Sequence, residues 1–264
     1  AREVIFERQK EMGIVPPGTE LTPRPHWIQE WDSLNADERR LYARMMEVFA
    51  GFMSHTDHHI GRLIEFIREI GELDNTIIVA ISDNGASAEG GPNGLFNEAS
   101  FFNRVPETIE ENLARIDKLG SPECFNHYPY GWAWAGNTPF QRWKREVHEG
   151  GVADPFIIHW PAGIEAKGEV RGQYVHAVDI TPTVLELLGV EPPAEIRGVA
   201  QSRIQGTSFA HTLREPDAPP VHETQYYEML GNRAIYHQGW KAVTYHGTEG
   251  MIYDGVTDPH KHFD

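Results

Sequence analysis

The stretch that decides the fold is TIIVAISDNG, residues 76–85. It opens with a continuous β-branched and apolar run, which is typical of a strand in a parallel sheet covered by helices on both faces. Polar side chains follow at once at Ser82, Asp83 and Asn84, and ligands bind at the carboxyl ends of strands in open α/β sheets. The stretch therefore predicts an α/β fold with a mostly parallel sheet and a candidate site at the end of this strand.

A long helix is predicted immediately upstream, over about residues 35–70. Asn35 can cap its start, because an Asn side chain accepts first-turn N–H groups. Apolar residues then recur at helical spacing from Leu41 to Ile67, and Gly71 can end the helix. This order of helix, turn and strand supports the α/β assignment.

The remainder of the chain is predicted to hold an insertion, further α/β elements and a terminal sheet. Residues 86–142 form the insertion, which is rich in Gly, Asn and aromatic side chains; long loops in compact domains are often functional. Residues 1–220 are assigned to one main domain, and 221–264 to a small antiparallel subdomain. The predicted elements are helices at about 2–12, 106–119 and 180–188, and strands at 156–160, 175–178, 225–229, 233–237, 240–245 and 251–253.

The charge balance limits the classes of partner. The chain has 39 acidic and 23 basic residues and a formal net charge of −16, which argues against nucleic acid and anionic membranes, since both need basic patches. We expect no membrane insertion, because no apolar run is long enough to span a bilayer. The single cysteine, Cys124, leaves the cellular compartment undetermined. An enzyme of this charge that acts on an anion must gather cations locally.

Two short motifs could gather such cations. Asp83 and Asn84 offer hard oxygen ligands of the kind that Ca²⁺ or Mg²⁺ prefers, although Asp-Asn-Gly is also a common turn. Lys144 stands shortly before Glu149-Gly150-Gly151. A lysine aimed into a crevice can neutralise an anionic oxygen, and glycines allow close backbone approach. The alternative is a solvated lysine near a helix end.

Further segments extend these two motifs into an ordered set over most of the chain. The set resembles the type I sulfatases of the alkaline phosphatase superfamily, and bacterial arylsulfatases with an aromatic insertion in particular. The resemblance implies a partial sulfatase sandwich, with 1–220 as the C-terminal half of the catalytic domain and 221–264 as the start of the small C-terminal subdomain. The matching segments are DHHIGRL (57–63), ELDNTIIVAISDNG (72–85), NTPF (137–140), Lys144 with EGG (149–151), DITPT (179–183), LLG (187–189), YD (253–254) and TDP (257–259).

The resemblance implies hydrolysis of a small-molecule sulfate ester. Type I sulfatases use a formylglycine nucleophile, which a formylglycine-generating enzyme makes from Cys or Ser in a Cys/Ser-x-Pro-x-Arg motif, and one Ca²⁺ in preference to Mg²⁺. By this resemblance Asp83 and Asn84 are calcium ligands, and Asn84 also lies near the scissile oxygen. Lys144 would bind a sulfate oxygen and stabilise negative charge that develops on the leaving side.

One part of the family pattern is missing from these residues. The sequence contains no Cys-x-Pro-x-Arg or Ser-x-Pro-x-Arg, and Cys124 is followed by FNHY. We therefore expect the chain to be a C-terminal fragment, with the formylglycine motif upstream of Ala1. The isolated fragment is then expected to lack activity and to bind calcium weakly, since Ca²⁺ takes six to eight oxygen ligands.

Five aromatic and histidine side chains have two interpretations. Trp132 and Trp134 either wall a pocket for an aromatic ester or belong to the core of the insertion. His55, His58 and His59 could ligate zinc, but adjacent histidines do not share one helix face, which favours an ordinary polar stretch.

Two other functions stay open beside sulfate-ester hydrolysis. One is a phosphoesterase or phosphonate hydrolase of the same superfamily; Asn84, where many such relatives have His, favours the sulfatase. The other is a degenerate, non-catalytic module, and the retention of Asp83, Asn84 and Lys144 argues against it.

Overall fold

The computed structural model describes residues 1–165 and 167–244. Its helices are α1 (Arg2–Glu11), α2 (Ala36–Glu69), α3 (Glu98–Phe102), α4 (Ile109–Ala114), α5 (Tyr130–Gly136), α6 (Glu149–Val152) and α7 (Ile180–Leu188). Its strands are β1 (Ile78–Ile81), β2 (Phe156–His159), β3 (Glu195–Ile196), β4 (Val199–Ala200), β5 (Thr224–Met229), β6 (Asn232–His237) and β7 (Trp240–Thr244).

The predicted long helix before the strand is confirmed as α2, and its start follows the expected capping chemistry. The Asn35 side chain accepts the backbone N–H groups of Asp37 and Glu38, and the Glu38 carboxylate accepts the N–H of Asn35, which completes a capping box. The first half of α2 is buried through Leu41 and Met45. This half anchors the core, which also holds the aromatic side chains of the insertion.

The direction of the strands differs from the mostly parallel sheet that was predicted. β1 and β2 run antiparallel, with Ile78 opposite His159 and Ile81 opposite Phe156. Every strand pair in residues 1–165 and 167–244 is antiparallel. The prediction failed because an apolar run says nothing of the direction of the neighbouring strand. The predicted cover on both faces does not extend to Ile81, which is 49% exposed. The α/β class itself and the small C-terminal antiparallel sheet are confirmed.

The C-terminal sheet has the order β5-β6-β7, joined by two tight hairpin turns. Leu230 and Gly231 in the first turn and Gln238 and Gly239 in the second all have positive φ, as two-residue turns of type I′ require. The sheet packs on the body of the protein through a small core around Val147, which is 1% exposed. The predicted strand at 251–253 lies outside the described residues, as do the matching segments beyond it.

Two other predicted elements differ in extent or kind. The helix predicted at 106–119 is shorter, consisting of α4 and a 3-10 turn at Ile116–Lys118. The strand predicted at 175–178 is wrong: Ala177–Asp179 form a 3-10 turn. The buried Asp179 carboxylate accepts the backbone N–H of His176, and such side-chain caps favour a helical turn over a strand. Within the described residues, no helix is both long and apolar enough to cross a membrane.

Candidate active site

The turn at the end of β1 presents oxygen atoms outward. The ladder extends one step beyond β1, because the Ser82 N–H lies 3.4 Å from the Pro155 carbonyl oxygen. The Ser82 hydroxyl donates to the Asn84 carbonyl at 2.8 Å, and Asn84 Nδ2 donates to the Gly85 carbonyl at 2.9 Å. This second bond orients the Asn84 amide so that Oδ1 can accept or ligate, while the Asp83 carboxylate is exposed.

The two predicted motifs meet at backbone level. The Gly85 N–H lies 3.2 Å from the Gly151 carbonyl oxygen, and a Cβ on Gly85 would come within 1.7 Å of the Gly150 carbonyl oxygen. Only glycine allows so close an approach. The backbone N–H of Lys144 also donates to the Ala86 carbonyl at 3.1 Å. The structure therefore brings the segment that carries Asp83 and the segment that carries Lys144 into direct contact.

The ammonium of Lys144 is held by a carboxylate that the sequence analysis did not single out. Lys144 Nζ donates to Glu89 Oε2 at 2.8 Å, and Arg145 Nη1 lies 3.9 Å from Glu89 Oε1. The Glu89 side chain is 4% exposed, whereas that of Lys144 is 33% exposed. The carboxylate thus lies inside the protein and the ammonium lies at the surface of the site.

Glu89 belongs to a chain of hydrogen bonds through the insertion. The Ser87 hydroxyl donates to Glu89 Oε2 at 2.7 Å and lies 2.9 Å from His127 Nε2. Burial alone would raise the pKa of Glu89, but the hydrogen bonds from Lys144 and Ser87 and the nearby cations lower this pKa below its ordinary value. Glu89 is therefore ionised at neutral pH and keeps a negative charge beside the ammonium.

A second carboxylate, Asp154, lies opposite Asp83. Continuing the β1–β2 register beyond Ile81 and Phe156 places these two residues across from each other. Burial and the Asp83 charge raise the pKa of Asp154 to about 6. The only sequence signal for this residue was its place two positions before β2, and a strand's amino end is not where ligands were expected. Like charges opposed in this way favour the approach of a cation.

The Glu-Gly-Gly segment is fixed from two sides. The Gly150 N–H donates to the Gln141 carbonyl at 3.1 Å. From the C-terminal sheet, Lys241 Nζ donates to Glu149 Oε1 at 2.5 Å and lies 4.4 Å from the centre of the Tyr227 ring. Burial lowers the pKa of Lys241, an effect that Glu149 opposes. The terminal sheet is therefore tied directly to the segment that contains Lys144.

Both candidate pocket tryptophans pack against the core. Trp132 Nε1 donates to the Tyr42 carbonyl of α2 at 3.0 Å, and its ring lies 5.4 Å from that of Trp31. The guanidinium of Arg2 stacks 4.1 Å from the Trp134 ring centre. Both side chains are partly buried, so the structure accounts for them as packing residues, and a role in substrate binding stays a prediction.

The histidines of α2 form an exposed polar face. His55 Nε2 and His59 Nε2 lie 3.1 Å apart, and Arg62 Nη1 lies 3.0 Å from His59 Nδ1. In the part of the chain that the structure describes, no group of three or more His, Cys, Asp or Glu side chains could hold a metal ion. A zinc site is therefore not supported. The turn at the end of β1 has two carboxylates close to it, those of Asp83 and Asp154, and the side-chain oxygen of Asn84 is a third possible ligand.

Known proteins are similar to this chain in sequence. The family model for sulfatases matches residues 15–190, and the model for the C-terminal region of N-sulphoglucosamine sulphohydrolase matches residues 140–262. An uncharacterized sulfatase of Schizosaccharomyces pombe is 30% identical over 92% of this chain and 43% of its own length. An arylsulfatase of Klebsiella aerogenes is 28% identical over 70% of this chain and 38% of its own length.

Among solved structures, a Bacteroides thetaiotaomicron chain from a glycosaminoglycan-metabolism locus aligns with a TM-score of 0.46 and 19% identity, over 71% of this chain and 31% of its own length. The chain thus spans less than half the length of these relatives. The sulfatase model covers both the turn at the end of β1 and the segment from Lys144 to Gly151. The chain therefore belongs to the sulfatase family.

Proposed function

We propose that the whole protein is a sulfuric ester hydrolase of the arylsulfatase type, and that this chain supplies its metal-binding turn and its anion-binding lysine. The observation that supports this is the contact between the turn at Gly85 and the Gly150-Gly151 backbone. This contact joins the segment that carries the oxygen donors to the segment that carries the lysine. A cation and an ammonium so placed suit an anionic ester.

The donors at the end of β1 fit a calcium ion. Asp83 and Asp154 provide carboxylate oxygens, Asn84 provides an amide oxygen, and Ca²⁺ takes such oxygens in flexible geometry with water completing the shell. Burial and, after it, the Asp83 charge raise the pKa of Asp154 to about 6, and a bound cation would favour the ionised carboxylate. Bound calcium would act as a Lewis acid toward a sulfate oxygen. Magnesium, which demands stricter octahedral geometry, fits less well.

A formylglycine, installed by a formylglycine-generating enzyme, would supply the nucleophile. The residues of this chain then bind and orient the ester. Lys144 has three N–H donors and gives one to Glu89, so two stay available for sulfate oxygens. Because Glu89 fixes the ammonium, its charge is in place before negative charge develops on the leaving oxygen, which is how preorganised donors lower a barrier.

The test is hydrolysis of 4-nitrophenyl sulfate by the full-length gene product, coexpressed with a formylglycine-generating enzyme. We expect activity that a calcium chelator abolishes and added Ca²⁺ restores. Asp83→Ala and Lys144→Ala should each lower kcat/KM on the order of 100-fold or more. The matched controls are Asp217→Ala and Lys118→Ala, which remove the same charges from exposed positions. Full activity in both site variants would disprove the assignment of these residues.

A further inference from the structure

We propose that Glu89 determines specificity: its buried carboxylate behind Lys144 makes the anion site favour singly charged sulfate esters over doubly charged phosphate monoesters. This inference rests on the proposed function, in which Lys144 binds the anionic group of the substrate. It adds a residue of the insertion, four positions after Gly85, to the determinants of substrate choice.

The geometry places one negative charge directly behind the anion-binding ammonium. Glu89 Oε2 lies 2.8 Å from Lys144 Nζ, and Glu89 Oε1 lies 3.9 Å from Arg145 Nη1. The side chain of Glu89 is 4% exposed, and those of Lys144 and Arg145 are 33% and 29% exposed. The carboxylate is therefore screened poorly by solvent and acts on whatever binds at the outer side of the ammonium.

The carboxylate is also fixed in place. Ser87 donates its hydroxyl to the oxygen that already accepts from Lys144, at 2.7 Å. The Ser87 oxygen in turn contacts His127 Nε2 at 2.9 Å, and His127 Nδ1 lies 2.8 Å from the Tyr128 carbonyl oxygen. Since His127 is buried, this chain of contacts keeps Glu89 from turning away when an anion arrives.

The charges decide which anion fits. The carboxylate of Glu89 adds a negative charge behind Lys144, and this charge repels a doubly charged phosphate monoester more strongly than a singly charged sulfate monoester. An anion bound to the outer side of the ammonium lies about 6 Å from the carboxylate, two hydrogen-bond lengths away. At an effective dielectric constant near 20, the extra unit of charge costs on the order of 100-fold in binding, and partial solvent screening reduces this to roughly tenfold.

The experiment compares kcat/KM for 4-nitrophenyl sulfate and 4-nitrophenyl phosphate in the calcium-loaded full-length gene product at pH 8, where the phosphate ester is mostly doubly charged. We expect Glu89→Gln, which keeps the shape and removes the charge, to shift the ratio toward phosphate by roughly tenfold or more. Glu89→Asp keeps the charge and should hold the ratio within about threefold of wild type. Glu110→Gln removes an exposed carboxylate of α4 and should leave the ratio unchanged.

A second variant tests the same electrostatic effect by removing a charge of the opposite sign, and it can be measured even if Glu89→Gln does not fold. Arg145→Gln removes a positive charge, so it should shift the ratio further toward sulfate. A general loss of structure would lower both rates together and would not move their ratio. If wild type hydrolyses the sulfate ester but neither substitution shifts the ratio, the inference is wrong and the proposed function stands. If wild type hydrolyses neither ester, both the inference and the proposed function are wrong.

Discussion

We expect the free energy of unfolding to fall by different amounts when either partner of the ion pair between Glu149 and Lys241 is removed. Lys241 Nζ and Glu149 Oε1 lie 2.5 Å apart, but the lysine side chain is 10% exposed and the glutamate side chain 45% exposed. Glu149→Gln therefore leaves a buried ammonium without its counter-charge. Lys241→Met instead leaves a half-exposed carboxylate that water can solvate, and its apolar side chain can still pack on the Tyr227 ring, which the ammonium now covers.

The magnitudes follow from this difference in burial. A hydrogen bond to a charged group contributes about 1.5–3 kcal/mol, and the exposure of Glu149 places this pair at the lower end. We expect Glu149→Gln to lower the free energy of unfolding by about 1.5 kcal/mol, and Lys241→Met by less than about 0.5 kcal/mol, because removing a buried charge also removes its desolvation cost. In the double variant the loss should stay near that of Lys241→Met alone.

Urea denaturation at pH 7.5, followed by circular dichroism, measures all four free energies under one set of conditions. Glu65→Gln, a change in an exposed pair on α2, is the matched control and should change stability by less than about 0.5 kcal/mol. The reasoning is refuted if Lys241→Met destabilises the protein more than Glu149→Gln does. It is also refuted if Glu149→Gln is indistinguishable from wild type.

Two further substitutions probe the turn at the end of β1. Burial and the Asp83 charge raise the pKa of Asp154 from 3.8 to about 6. The native state therefore loses stability as the pH rises from about 4 to about 6. With calcium chelated, we expect Asp154→Asn to be about 1–2 kcal/mol more stable than wild type at pH 8 and equal to it near pH 4. Thermal unfolding at both pH values measures this, and an equal difference at both would count against it. Gly85→Ala should lower the free energy of unfolding by about 2 kcal/mol or more, because the new Cβ would come 1.7 Å from the Gly150 carbonyl oxygen. Gly172→Ala is the control and should be tolerated, since that position has open space around it. Equal melting temperatures for the two variants would contradict the packing at Gly85.

The elements that the sequence predicted are those with local signals. The capping box at Asn35 and the positive-φ glycine after α7, Gly189, mark helix ends within a few residues. The hairpins of the terminal sheet are marked by Leu230-Gly231 and Gln238-Gly239. Such signals act over a single turn of chain, so a single sequence suffices to find them.

The contacts that the sequence could not predict join residues far apart in the chain. Glu89 and Lys144 are 55 positions apart, and no periodicity or spacing links a glutamate of the insertion to that lysine. Asp154 faces Asp83 only because β2 pairs with β1 antiparallel, a direction that the apolar pattern of β1 does not encode. Both are tertiary contacts, and they include the carboxylate on which the specificity of the site is proposed to depend.

The assignment of the site and the division of the chain at residue 220 stay predictions. Asp83, Asn84 and Lys144 were predicted to share one site, and the structure brings their segments together through Gly85, Gly150 and Gly151. Gly150 and Gly151 were identified in the sequence as positions for close approach. Their contact with each other, however, is a product of the whole fold.

The most direct measurement is a crystal structure of the full-length gene product with Ca²⁺ and inorganic sulfate. We predict a calcium ion bound by Asp83 and Asn84 at about 2.3–2.6 Å, with a sulfate oxygen within hydrogen-bond distance of Lys144 Nζ. Two results would contradict the claim that these three side chains form one sulfate-binding site. One is a calcium ion bound elsewhere. The other is a sulfate ion that does not contact Lys144, with the lysine ammonium facing open solvent.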